Sequence, residues 1–133
     1  MRDETEKNER MVVNFGHTIG HAIELLSKFK LQHGFCVGYG ILAEAKISEL
    51  KGLLHGVDRL YIEGLLRKFG VDSKPLHKFP IKKILDATRM DKKSRGGVPQ
   101  YVLLKEIGSV YIDGGRYAHS VPDDLVINAL KSA

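Results

Sequence analysis

Three histidines, His17, His21 and His33, stand close together near the start of the chain. Neutral imidazole is a good ligand for divalent metals, and its titration near neutrality suits it to proton transfer. His17 and His21 are four apart, in a segment whose apolar residues Ile19, Ala22, Ile23 and Leu26 recur at helical spacing. Residues at i and i+4 share one helix face about a turn apart, so both rings can address one site. His33 precedes Gly34 and a new apolar run, and a helical hairpin would return it to the first pair. The spacing by itself is a weak signal, since such pairs in soluble chains are more often structural than ligating. Gly16 and Gly20 add to it. Each immediately precedes a histidine, and glycine costs about 1 kcal/mol in a helix interior relative to alanine. A helix that carries it there needs close backbone approach, to another helix or to a ligand.

The elements that must hold these residues follow from pattern and punctuation. A first helix is expected over residues 18–28, with Lys28 and Lys30 suiting the negative pole of its dipole. Leu31, Gln32, His33 and Gly34 form the connection. A second helix over 36–51 carries Val37, Ile41, Leu42, Ala45, Ile47 and Leu50 and reads as the central buried element. Gly38 and Gly40 in its first turns again suggest tight packing. Gly52 and Gly56 bracket a break, after which Asp58 caps a third helix over 59–69 that Gly70 stops. Residues 71–79, with Pro75, form a loop. Pro80 suits the first turn of a fourth helix over 81–90, followed by a polar turn over 91–99. Strand-like runs at 101–104 and 109–112 read as one hairpin that Gly114 and Gly115 end. Pro122, Asp123 and Asp124 open a last helix to about Lys131. The fold class is mainly α, with a small β-hairpin.

Bulk properties exclude several classes. The 133 residues, 43% of them hydrophobic, suffice for one domain with a real core. No apolar run is long enough to span a membrane, and the first ten residues are polar and charged rather than signal-like. The single Cys36 excludes an intrachain disulfide, fits a reducing cytoplasm and is expected to pack as a small hydrophobe. The net charge of +5 invites a nucleic-acid reading. Against it, acidic residues are interleaved with basic ones, only Lys92, Lys93 and Arg95 cluster, and no nucleic-acid-binding signature occurs. A positive cleft would equally concentrate an anionic small molecule.

The run Asn14-Phe15-Gly16-His17-Thr18-Ile19-Gly20-His21-Ala22-Ile23-Glu24 resembles the signature of 3-dehydroquinate synthase and its sugar-phosphate cyclase relatives. So do Arg10, His33-Gly34, Met90-Asp91-Lys92-Lys93, and Tyr101-Val102-Leu103-Leu104 with Ile107-Gly108 behind it. Several separated motifs agree in order and spacing over nearly the whole chain. The resemblance covers only the family's helical, metal-bearing C-terminal domain, residues 1–133 here, and implies that the N-terminal nucleotide-binding domain is absent from this sequence.

That resemblance implies a cytoplasmic enzyme of the shikimate pathway and aromatic amino-acid biosynthesis. It would convert a heptulosonate phosphate to 3-dehydroquinate and phosphate, a lyase-type cyclisation. It implies Zn²⁺ held by His17 and His33, with a third ligand, a glutamate, outside this chain, so the site here is incomplete. NAD would serve the complete enzyme and bind to the absent domain, which is also the implied partner. His21 is the implied proton-relay residue, Lys92 a catalytic lysine and Lys93 a phosphate contact. Arg10 is implied to pair with the substrate carboxylate and Asn14 to bind substrate oxygens, while Glu6 aligns with a glutamate near the relay. One departure stands out: after His33-Gly34 the family usually has Glu, and this chain has Phe35, which cannot accept a hydrogen bond beside a ligand imidazole. The isolated chain is expected to be inactive and, with a domain-facing surface exposed, to self-associate. The alternatives are a different sugar-phosphate cyclase, which Arg10 argues against where substrates lack a carboxylate, and a non-catalytic interaction or regulatory fragment.

Overall fold

The computed structural model describes residues 15–90 and 98–133. The architecture is the expected one, mainly helical with short antiparallel strands. Helices α1 (His17–Leu26) and α2 (His33–Leu50) form an antiparallel hairpin, followed by α3 (Gly56–Lys68), a short 3-10 turn (Lys74–Lys78), and α4 (Ile81–Arg89). Strands β1 (Tyr101–Val102), β2 (Leu104–Glu106), β3 (Ser109–Val110) and β4 (Ala118–His119) precede a terminal helix, α5 (Asp123–Ser132).

Helix α2 is the central element. Its buried residues, from Cys36 and Tyr39 through Leu42, Ala43, Ala45 and Ile47, lie on every side of it. A helix apolar all round belongs inside. It packs with Ile19 and Ile23 of α1, Ile84 of α4 and Val126, Ala129 and Leu130 of α5 in one core cluster. Cys36 is fully buried there, as its reading as a small hydrophobe requires, and burial pushes its thiol pKa up, with Glu24 adding to the effect.

The glycines resolve in favour of another helix. A Cβ at Gly40 would lie 1.8 Å from the carbonyl oxygen of Gly16, and one at Gly20 would lie 2.8 Å from that of Cys36. The two backbones therefore touch where side chains would keep them apart. Gly16 is not inside α1 but immediately before it, at φ 84°, a left-handed conformation that glycine adopts without strain.

Several boundaries differ from expectation. Helix α1 stops at Leu26, and Lys28 and Phe29 adopt left-handed φ values of 56° and 61°, so Lys28 turns the chain rather than facing the helix dipole. His33 is the first residue of α2, not part of the connection. Asp58 sits within the first turn of α3 instead of capping it, with His55 in the cap position. Gly70 does end α3, at φ 84°, with Val71 N–H donating back to the Leu66 carbonyl.

The single expected hairpin is two small ladders. β2 pairs with β3, but β1 pairs with β4, which the sequence did not announce. Within the β2–β3 ladder the register shifts between Leu104 and Glu106. Thr18 Oγ donates to the Gln100 carbonyl at 2.6 Å, tying the start of α1 to the chain entering β1.

Candidate metal centre

The hairpin geometry decides what α1 and α2 can do together. His17 and His21 share one face of α1, and His33 enters from the first turn of α2. The three rings pack against one another with centroids 5.5, 5.6 and 5.8 Å apart. One nitrogen from each lies within 4.8 Å of the other two. Two nitrogens at the ~2.0–2.1 Å bond lengths of a tetrahedral zinc ion stand roughly 3.4 Å apart. Small side-chain rotations therefore close this set around an ion. The donor chemistry also fits, since neutral imidazoles suit Zn²⁺ and other borderline divalent metals.

Sequence reasoning missed a fourth member, Glu24. Its Oε1 lies 3.1 Å from His33 Nδ1. A carboxylate can only accept, so Nδ1–H donates to it, and that tautomer leaves Nε2 with its lone pair for a metal. A carboxylate behind a ligating imidazole fixes the ring and raises its basicity. The signal was available: Glu24 is three residues beyond His21 and seven beyond His17, on the same helical face. Phe35, by contrast, is 39% exposed and lines an apolar groove with Leu66, Phe69 and Val71. Phe35 offers no acceptor, and the His33 imidazole has one in Glu24.

Glu44 is the second missed residue. It is fully buried on α2, and its carboxylate accepts from Gly16 N–H at 3.0 Å and Ile19 N–H at 3.2 Å. Those are among the orphan donors of the α1 N-terminus, where helix polarity also favours negative charge. Glu44 thereby does for α1 what a capping side chain would do, and α1 has no side-chain cap of its own. Burial pushes its pKa from 4.5 up to about 8, against the opposing pull of the backbone N–H groups of Gly16, Ile19 and Thr18. One turn on, Ser48 Oγ donates to the Glu44 carbonyl and accepts from Leu104 N–H, linking α2 to β2.

Arg10, Asn14, Lys92, Lys93 and Glu6 lie outside the described residues. Of the predicted site residues, the structure brings together His17, His21 and His33. A separate polar cleft of about 460 Å³, lined by Lys51, Gln100, Arg116 and His119 among others, is not lined by any of the three.

Comparison with known proteins identifies the family and the fold. A family model described as 3-dehydroquinate synthase C-terminal matches residues 1–94. The 3-dehydroquinate synthase of Pyrococcus abyssi is 36% identical over 128 residues, covering 96% of this chain and 35% of its own length. That of Pyrococcus furiosus is 37% identical over 132 residues, with 98% and 36% covered. The chain thus spans about a third of the length of the curated relatives it matches. A crystal structure of 2-deoxy-scyllo-inosose synthase, complexed with carbaglucose-6-phosphate, NAD⁺ and Co²⁺, has a similar fold. It aligns with a TM-score of 0.77 at 25% identity, over 96% of this chain and 35% of its own.

Proposed function

Because this chain belongs to the 3-dehydroquinate synthase C-terminal family, we propose that it is the metal- and substrate-binding part of a sugar-phosphate cyclase. The reaction is the conversion of a heptulosonate phosphate to 3-dehydroquinate and phosphate. NAD binds to a portion of the protein that these 133 residues do not include. The observation that carries the reading is the convergence of three imidazole nitrogens within 4.8 Å, with Glu24 against His33.

In this reading His17 and His33 ligate a divalent metal, Zn²⁺ or an ion of similar chemistry, and a third ligand comes from outside the chain. Bound there, the ion supplies Lewis-acid polarisation of a substrate hydroxyl. Glu24 holds the His33 ring in its ligating tautomer, and Glu44 fixes the start of the helix that carries His17 and His21. His21, one turn along from His17, moves protons to and from substrate oxygens. Arg10 binds the substrate carboxylate through its planar guanidinium. Asn14 binds substrate oxygens, and Lys92 and Lys93 neutralise the departing phosphate.

A three-imidazole ligand set is the second reading, favoured by the near-equal ring separations. The two differ at His21. His21→Ala leaves metal affinity within about threefold if His21 is a relay, and lowers it at least as far as His17→Ala does if it is a ligand.

A chimera tests the function. Residues 1–133 replace the matching segment of the Pyrococcus furiosus synthase, and phosphate release is followed with NAD, Zn²⁺ and heptulosonate phosphate. The expected result is phosphate release with 3-dehydroquinate as product, abolished by His17→Ala. A folded chimera that binds NAD and metal without turnover contradicts the catalytic reading and supports a non-catalytic module.

A further inference from the structure

The polar cleft away from the histidines is built from separate stretches of chain. Lys51 comes from the end of α2, Gln100 from the entry to β1, Asp113 and Arg116 from the connection between β3 and β4, and His119 and Ser120 from the end of β4. Its volume, about 460 Å³, is that of a small-molecule site. None of these residues has a part in the proposed reaction.

The cations of the cleft are unpaired. Among the described residues, Arg59, Arg67 and Arg89 each hold a carboxylate. Arg116 and Lys51 hold none. Asp113 is tied to Arg116 through the backbone alone, with N–H to carbonyl bonds of 3.2 and 2.9 Å in the two directions. Between them Gly114 and Gly115 take φ values of 58° and 76°, the left-handed pair of a tight two-residue turn. The turn sets a cation and an acceptor next to each other with no ion pair between them.

The rest of the lining is polar and held in place. His119 Nε2–H donates to the Tyr111 carbonyl at 3.2 Å, and its ring lies against that of Tyr111, with centroids 4.9 Å apart. The Gln100 carbonyl accepts from Thr18, and its side-chain N–H donates to the Val98 carbonyl at 3.4 Å. That leaves the amide oxygen of Gln100 to accept from a ligand.

We propose that this cleft is a ligand site separate from the metal centre, for a small phosphorylated molecule that carries hydroxyl groups, a sugar phosphate in chemical class. Lys51 and the planar guanidinium of Arg116 take the phosphate dianion. Asp113, the Gln100 amide oxygen and Ser120 hydrogen-bond the hydroxyls. Two cations against one carboxylate favour a dianion over a zwitterion. A bare anion would meet the Asp113 carboxylate with no hydroxyl to satisfy it, so the hydroxyls contribute to selection. This inference does not rest on the metal centre or on the proposed reaction.

Amide NMR spectra of the 133-residue chain, titrated with ribose 5-phosphate, with inorganic phosphate and with sodium chloride at matched ionic strength, are the test. The expected result is saturable shifts of the Gly114, Gly115 and Ser120 amides with ribose 5-phosphate, and weaker binding of inorganic phosphate at the same amides. Arg116→Ala should weaken ribose 5-phosphate binding about tenfold, and Arg116→Lys should recover part of the loss. The Arg116 side chain has no partner in the chain, so amides away from the cleft should keep their positions in both variants. Asp113→Asn should narrow the preference for ribose 5-phosphate over inorganic phosphate. Shifts that sodium chloride reproduces, shifts confined to the amides of α1, or binding indifferent to Arg116→Ala would each overturn the proposal. Inorganic phosphate binding as tightly as ribose 5-phosphate would overturn it as well.

Discussion

Helices α1 and α3 each pack against α2, and they do so in opposite ways. At the α1–α2 contact, glycines bring the backbones together, apolar residues fill the gaps, and a buried carboxyl group, that of Glu44, is bonded to backbone donors at a helix start. At the α3–α2 contact, Ile62 and Leu66 are only partly buried against the core, Arg59 pairs with Glu49 across the junction, and Val57, Leu60, Tyr61 and Leu65 face out. The first contact leaves little freedom to either helix and carries the histidines. The second adds partly exposed ion pairs, which contribute little each. Rigidity is concentrated where three side chains must hold a common point.

Substitutions that treat the two contacts alike should therefore give unlike results. The largest effect is expected at Gly40. Gly40→Ala places a methyl group against the Gly16 carbonyl oxygen, with backbone on both sides, and should cost about 3 kcal/mol or more in urea unfolding. Gly64→Ala on α3 meets no neighbouring atom. It should be stabilising by up to about 1 kcal/mol, the ordinary helix preference for alanine. Equal losses at both positions would remove the distinction.

Next in size is the pair of glutamates. Glu44→Ala strands the Gly16 and Ile19 N–H groups in the interior and should cost roughly 2–3 kcal/mol. Glu63→Ala on α3, losing only partly exposed pairs with Arg59 and Arg67, should cost about 1 kcal/mol or less.

Glu44 also sets a pH signature. Its folded pKa, about 8, lies above the ordinary value of 4.5, so the native state holds a proton that the unfolded chain has released. The stability this provides is complete below pH 4.5, declines as pH rises and is lost above pH 8. Urea midpoints should fall across that window, and Glu44→Gln should flatten the fall. A slope unchanged in Glu44→Gln would place its origin elsewhere.

The smallest effect on stability belongs to Glu24. Glu24→Gln should leave the unfolding midpoint nearly unchanged yet weaken metal binding about tenfold, because Gln can accept from His33 but carries no charge to raise its basicity. Isothermal titration with Zn²⁺ reads this directly.

These contrasts also show what the sequence could reveal. His17 and His21 are legible because i,i+4 spacing fixes a shared face, and His33 because a short connection makes α2 fold back. The caps at Pro80 and Pro122 and the stop at Gly70 are local chemistry, so those helix boundaries came out close. Glu24 was legible by periodicity and was overlooked. Glu44 was not legible: within Leu42-Ala43-Glu44-Ala45 it reads as one polar position on a helix, and only the tertiary approach of Gly16 gives it partners. The pairing of β1 with β4 likewise depends on a contact across Asp113 to Arg116, with nothing in the short Ala118–His119 run to mark it. The inward turn of Arg59 on α3 follows from Glu49 on another helix and was equally out of reach.

The most direct test of the central claim is a cobalt titration of the chain, followed by visible absorption with the ion in excess. Imidazole ligation in a four-coordinate site gives bands that aqueous Co²⁺ lacks. The expected result is weak but saturable binding of one ion per chain, displaced by Zn²⁺ and lost in both His17→Ala and His33→Ala. Binding that survives both substitutions, or the absence of any saturable band, would contradict a metal centre at the α1–α2 hairpin.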